Sequence, residues 1–313
     1  MGLQLAPSSV PSKRRRAGVA GVLGLVIVLL TGCGSDTQAE RLGMPKPATV
    51  EGEATLDLWQ GAWIAALATG VVVWGLIFYA VWKFRRRSDD EVPIQTRYNL
   101  PLEIFYTIFP IIMVIVFFDH TISTQNTVLN DPDVPVENTQ YIVGQQWQWT
   151  FNYPDEVEGD DGEMVNVYEV GTGARIPTLH LPVDETTRFE LRSPDVIHDF
   201  GVPAFMIKMD VIPGQENHYQ VTPKTEGTYI GKCYELCGVY HSRMIFNVKV
   251  ESREDYEAYL QSLYERGNVS EQPICGGDAA RTQAGLEEGE EAESASEVAN
   301  GSGDDSDDEE ICA

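Results

Sequence analysis

Gly231-Lys232-Cys233-Tyr234-Glu235-Leu236-Cys237-Gly238-Val239-Tyr240-His241-Ser242-Arg243-Met244 brings two thiols, an imidazole and a thioether into one short run of chain. Upstream, Asp195-Val196-Ile197-His198-Asp199-Phe200 supplies a second imidazole at the end of a candidate strand. Soft thiolate and thioether donors combined with imidazole suit copper. A Cys-loop-His-loop-Met run with a distant His is the layout of a one-copper site on a two-sheet β-sandwich. The extra cysteine changes the count: two thiolates can bridge two ions, leaving one histidine for each and weak axial donors to complete the shells. Each residue also has a plainer reading. A Cys-x-x-x-Cys pair in an exported protein is often a disulfide, a lone His is often structural, and Met244 alone would be a core side chain. Zinc also binds Cys and His, but it has no need of the methionine.

The sequence around this run reads as all-β over residues 140–251. Tyr141-Ile142-Val143, Arg188-Phe189-Glu190-Leu191, His218-Tyr219-Gln220-Val221 and Phe246-Asn247-Val248-Lys249-Val250 are rich in β-branched and aromatic residues. Turn signals separate them at Leu181-Pro182-Val183-Asp184, Ile212-Pro213-Gly214 and Thr222-Pro223-Lys224. Short strands at this density predict a β-sandwich or Greek-key barrel. The polar stretch 155–173 reads as a surface insertion, and 253–266 as a short amphipathic helix ending at Gly267. His120, His180 and His218 match no ligand position and read as surface or structural residues.

Further out, the chain reads as membrane-bound. Residues 58–82 form an apolar run with Trp59, Trp63, Tyr79 and Trp82 near its ends. At ~1.5 Å per residue it crosses a hydrocarbon core ~30 Å thick. Lys83, Arg85, Arg86 and Arg87 follow, so this end is cytoplasmic by the positive-inside rule. A second span covers 101–122 and contains Pro110, which is expected to kink it. Ahead of both lies an export signal: Lys13, Arg14, Arg15 and Arg16, then a short apolar core over 18–30, then Leu30-Thr31-Gly32-Cys33. That last motif resembles a bacterial lipobox, which makes Cys33 the lipid attachment point. The net charge of −26 argues against a nucleic-acid partner. Nearly half of the excess lies after Arg281, in a Gly/Ser/Ala/Glu tail that cannot bury enough apolar surface to order itself. The remaining cysteines, Cys275 and Cys312, flank that tail at a separation that permits a disulfide.

From the first span to Val250 the chain resembles cytochrome c oxidase subunit II. The family's Cys-x-Glu-x-Cys-x-x-x-His-x-x-Met motif is matched at every defined position by Cys233, Glu235, Cys237, His241 and Met244. The resemblance implies a two-span transmembrane α-helical hairpin followed by an all-β cupredoxin-like Greek-key domain. It implies that Cys233 and Cys237 bridge two copper ions, with His198 and His241 as terminal ligands. Met244 and the backbone carbonyl of Glu235 would be the weak ligands, and the Glu235 side chain would ligate a magnesium ion shared with subunit I. Trp147, in Gly144-Gln145-Gln146-Trp147-Gln148-Trp149, matches the tryptophan at which a c-type cytochrome delivers electrons. Gln145 and Gln148 stand where the family commonly has His and Tyr. Asp195 matches an acidic docking position. Glu103, seven residues before Pro110, matches the entrance to a proton pathway, and its plainer reading is a helix-end charge.

The organisation expected is therefore a signal peptide at 1–32, an extracytoplasmic segment at 33–57 and the hairpin at 58–122. The copper domain follows at 123–266 and the acidic tail at 267–313. The protein would be a multi-pass, lipid-anchored protein of a bacterial plasma membrane, with its copper domain outside. Its partners would be subunit I, which alone holds haem, the other oxidase subunits, and a cytochrome donor that is free or tethered in a respiratory supercomplex. A quinol oxidase subunit shares the architecture but lacks the copper ligands. A lipid-anchored copper carrier or metallochaperone needs neither a second span nor a tryptophan platform. Nitrous oxide reductase joins a similar copper module to a catalytic domain for which this chain has no room.

Overall fold

The computed structural model describes residues 37–129, 134–160, 162–172 and 175–275. Cys33, the export signal, Cys312 and most of the acidic tail lie outside these residues. Ahead of Pro47 the described residues form a separate short turn, in which the Arg41 guanidinium donates to the Met44 carbonyl at 3.1 Å.

Helix α1 spans Val50–Lys83 and helix α2 spans Leu100–Leu129. Both have a mean hydropathy of 2.2 in their most apolar window, none of it buried, so both are long and apolar enough to cross a membrane. Each is longer than its apolar run. α1 begins at Val50 because Thr49 caps it, its hydroxyl accepting from Gly52 N at 3.0 Å, and because Glu51 and Glu53 complement the positive end of the helix. The polar residues Ser123, Thr124, Gln125 and Asn126 continue α2 beyond residue 122, where hydropathy no longer marks a helix. Pro110 lies inside α2.

The rest is a sandwich of two sheets. Its strands are β1 (Asn138–Gln145), β2 (Gln148–Glu158), β3 (Met164–Val170), β4 (Thr178–Pro182), β5 (Thr187–Arg192) and β6 (His198–Val202). They continue with β7 (Ile207–Val211), β8 (Asn217–Val221), β9 (Gly227–Cys233), β10 (Ile245–Glu251) and β11 (Val269–Ser270). One sheet runs β11-β3-β2-β1-β5-β8 and the other β4-β10-β9-β6-β7. The expected cupredoxin-like fold class stands. Between the sheets lie Trp149, Phe151, Phe189, Phe200, Tyr219 and Phe246, all fully buried, with Phe200 and Phe246 stacked at 4.6 Å. Helix α3 (Arg253–Glu265) buries Tyr256, Leu260 and Leu263 and ends where Gly267 adopts φ +79°. Such a positive φ favours glycine.

Residues 155–173 are not an insertion. β2 continues to Glu158, and β3 returns beside it with Val157 paired to Val165. The register shifts between Tyr153 and Val157, and Asp155 takes φ +55°. A bulge of this kind breaks the alternation by which a strand is read. At the other end of the domain, β11 pairs with β3 and Ile274 N donates to Asn152 Oδ1 at 2.8 Å. The ordered chain thus continues beyond Gly267, and Cys275 is disulfide-bonded. His180 is structural: its Nδ1 lies 2.5 Å from Glu251 Oε1, and its ring stacks on Tyr259.

Candidate metal centre

β9 ends at Cys233, and β10 begins one residue after Met244. Cys233 N donates to Met244 O at 3.0 Å, so the two residues close the mouth of the loop between the strands. Within the loop, His241–Arg243 forms a single 3-10 turn, with Met244 N donating to His241 O at 3.2 Å. β6 pairs with β9 through Phe200 and Cys233, which brings His198, at the start of β6, alongside the loop. Gly231 has no room for a side chain: a Cβ there would stand 2.1 Å from the Phe246 ring. The rigid aromatic core therefore reaches directly under the loop, and Trp149 Nε1 donates to Met244 O at 3.4 Å.

The expected donors converge. His198 Nδ1 lies 3.9 Å from Cys233 Sγ, and Cys233 Sγ lies 3.9 Å from Cys237 Sγ. On the far side, Cys237 Sγ lies 3.7 Å from His241 Nδ1 and 3.8 Å from Met244 Sδ. The Glu235 carbonyl is 3.2 Å from Cys233 Sγ, while the Glu235 side chain is exposed. A disulfide needs sulfurs about 2.05 Å apart, so both thiols are free. Two thiolates each ~2.3 Å from one tetrahedrally bound ion stand ~3.8 Å apart. The observed spacing fits a metal. His198 and Met244 are fully buried, Cys233 and Cys237 are 4% exposed, and His241 is half-buried.

The electrostatics favour a cation beside the two sulfurs. Burial raises the Cys233 thiol, but the His198 imidazole and nearby backbone N–H groups outweigh it and bring the pKa below the ordinary value. Cys237 is pushed up to about 12, first by burial and then by the neighbouring Cys233 sulfur. Two adjacent buried sulfurs resist carrying charge together, and a bound metal ion removes that penalty. Asp195 Oδ1 lies 2.9 Å from His198 Nε2. Burial would raise the Asp195 carboxyl, yet its hydrogen bonds from His198, Gln146 N and Val196 N hold it below its usual range. The same carboxylate raises His198 against the opposite pull of burial. One oxygen of Asp195 is thus turned toward the site, while the side chain remains 26% exposed.

Trp147 is half-buried, and its indole N–H donates to Cys237 O at 3.2 Å. Gln146 Nε2 donates to the same carbonyl at 2.6 Å. The Trp147 ring meets Tyr240 edge-on, with centroids 5.1 Å apart. Gln146 and Tyr240 were not singled out in the sequence. Tyr240 occupies an undefined position of the motif, and its partner lies far away in the chain. Glu103 lies outside this centre, in the first turn of α2, where its Oε1 accepts from Asn99 N at 2.8 Å.

The family model for the cytochrome C oxidase subunit II periplasmic domain matches residues 139–251. The probable cytochrome c oxidase subunit 2 of Streptomyces avermitilis is 46% identical over 293 residues, covering 83% of this chain and 90% of that protein. The cytochrome c oxidase subunit 2 of Mycobacterium tuberculosis is 35% identical over 300 residues, covering 79% of this chain and 81% of its own. Among solved structures, the periplasmic domain of subunit II of Bradyrhizobium japonicum cytochrome oxidase aligns with a TM-score of 0.37 at 26% identity. It covers 42% of this chain and 96% of that domain.

Proposed function

The chain belongs to the cytochrome c oxidase subunit II family, and on that premise we propose that it is the electron-accepting subunit of a respiratory oxidase. A c-type cytochrome, free or tethered in a supercomplex, docks over Trp147. Electrons then pass to haem in subunit I, where oxygen is reduced to water and protons are translocated. The observation that carries this reading is the row of donors, the buried His198, Cys233, Cys237 and Met244 and the half-buried His241, spaced 3.7 to 3.9 Å apart.

Cys233, Cys237, His198 and His241 would hold a pair of copper ions, with Met244 and the Glu235 carbonyl as weaker donors. Bound there, a copper pair supplies reversible one-electron chemistry. The chain's own contribution is to hold the donors still. The β9–β10 frame keeps Cys233 opposite Met244. The Asp195 carboxylate accepts a hydrogen bond from His198 Nε2–H, which leaves the Nδ1 lone pair on the side of the sulfurs. The Trp147 N–H bonded to Cys237 O supports a short route from the surface to a bridging ligand. The exposed Glu235 side chain is available to a magnesium ion at the border with subunit I. Glu103, at the end of α2 that follows the arginine-rich loop, collects cytoplasmic protons for subunit I. Cys33 carries the lipid after removal of residues 1–32. The copper domain, which begins at residue 123 and keeps residues packed on it as far as Ile274, and the acidic tail after it lie outside the plasma membrane.

A copper carrier must release its metal, which favours exposed, exchangeable ligands. Burial of His198, Cys233, Cys237 and Met244 argues for a resident centre instead. The test is metal content and visible absorption of the full chain purified in detergent and loaded with copper. Two coppers per chain are expected. Cys233→Ser or Cys237→Ser abolishes the absorption of the pair, because a hydroxyl is a harder and weaker ligand. A wild-type chain that holds one copper, or only zinc, refutes the reading.

A further inference from the structure

We propose that Tyr240 is a positioning residue for electron uptake: with Gly238 it forms a seat that fixes the Trp147 indole on the carbonyl of Cys237. The proposal rests on the reading of Trp147 as the point where electrons enter. The step concerned is the loss of one electron by a ferrous cytochrome and its gain by the copper pair, with no proton moved and no bond made.

Three observations build the seat. First, Gly238 has φ +130°, and a Cβ there would stand 2.9 Å from Trp147 Cζ2 and 3.0 Å from Nε1. Only glycine lets the indole lie this close to the loop. Second, the Trp147 N–H reaches Cys237 O at 3.2 Å, a carbonyl that Gln146 Nε2 also occupies at 2.6 Å. Third, Tyr240 closes the seat from the side, its ring edge-on to the indole at 77° and 5.1 Å between centroids. The Arg243 guanidinium lies 5.9 Å from the centre of the Tyr240 ring and backs it.

Trp147 is half-buried, and its side chain has two torsions that the surrounding contacts must hold. Without the ring beside it, the indole gains rotamers that break its bond to Cys237 O. Electron transfer falls steeply with distance and with loss of a bonded path, so small misplacements matter. The contact is an edge-to-face packing of rings, so the hydroxyl of Tyr240 is dispensable and the ring is not. A Tyr240 that merely filled surface would leave Trp147 where it is.

The experiment compares Tyr240→Ala, Tyr240→Phe and Trp147→Phe in the copper-loaded full chain in detergent. Stopped-flow reduction is followed with the native cytochrome donor and, separately, with ascorbate. A second readout needs no copper: the chain is labelled with 5-fluorotryptophan, and the fluorine resonance missing in Trp147→Phe reports the indole. Tyr240→Ala should slow reduction by the cytochrome severalfold, at an unchanged absorption spectrum and an unchanged ascorbate rate. It should also shift or broaden the Trp147 resonance, and Tyr240→Phe should restore both. The proposal is overturned if Tyr240→Ala matches wild type with the cytochrome, if both reductants slow equally, or if the Trp147 resonance does not move. If Trp147→Phe itself leaves the cytochrome rate unchanged, the reading of Trp147 has failed and the seat has nothing to position.

Discussion

Glu51 sits in the first turn of α1 with only 4% of its surface exposed. Its carboxylate accepts from Thr222 N at 3.0 Å and from Thr222 Oγ1 at 3.3 Å, just past the end of β8. In return Val50 N donates to Thr222 O at 3.1 Å, and Ala48 bonds through its N to Ala204 O and through its O to Lys224 N, each at 2.8 Å. This junction ties the first span to the sandwich, next to the turn that follows β6. Glu51→Ala removes both carboxylate bonds. The Thr222 hydroxyl keeps Thr186 Oγ1 at 2.8 Å, but its N–H is left without a partner. A hydrogen bond to a charged group contributes about 1.5–3 kcal/mol, and an unsatisfied buried donor costs about 1–3 kcal/mol. Counting the overlap once, local opening should become about 2–4 kcal/mol easier. The exposed Lys224–Glu53 pair, at 2.8 Å, adds less than about 1 kcal/mol and does not alter that figure. At 1.36 kcal/mol per tenfold, amide protection over residues 217–224 should drop roughly 30- to 1000-fold. Hydrogen exchange by mass spectrometry on the detergent-solubilised full chain reads this directly, with β10 as the internal control. Unchanged protection over 217–224, or an equal loss in β10, would refute the local-junction argument.

Trp147→Ala should slow reduction by the cytochrome donor severalfold or more while the thermal midpoint moves little, since the ring is only half-buried; unchanged stopped-flow rates would make Trp147 simple packing. Glu103→Ala should slow steady-state oxygen reduction by the assembled oxidase with copper content intact; unaltered turnover and proton uptake across pH would reduce Glu103 to the helix-capping acceptor of Asn99 N. Glu156 has its pKa raised from 4.5 to about 7, chiefly by burial, with Glu185 adding to it and Arg253 opposing. The folded state therefore holds this proton more tightly than the unfolded state, and the stability it contributes is lost as pH rises from about 4.5 through 7. Glu156→Gln imitates the protonated form and should raise stability at pH 8 by about 1–3 kcal/mol, with little effect at pH 4.5. Parallel denaturation curves for the two proteins at both pH values would contradict this.

The side chains of the candidate metal centre were legible because most of them lie in one loop, where spacing along the chain stands in for spacing in space. Strands with regular alternation were legible for a similar reason: a half-buried pleat repeats every two residues. Where a local rule breaks, the reading failed. The bulge at Tyr153–Val157 turned two paired strands into an apparent insertion, and the polar end of α2 concealed a continuing helix. Contacts between distant residues left no local trace. Glu51 and Thr222 are 171 residues apart, and Trp147 Nε1 and Cys237 O are 90 apart. Neither residue of such a pair is unusual in its own neighbourhood. Tyr240 fills an undefined position of the motif, and only folding sets its ring against the indole. The bond from His198 to Asp195 likewise left no trace in the sequence. Even at the centre itself, a residue pattern does not separate a disulfide from a metal-binding pair, since both are Cys-x-x-x-Cys. A single length does, and at 3.9 Å the sulfurs are too far apart to be bonded and close enough to share an ion.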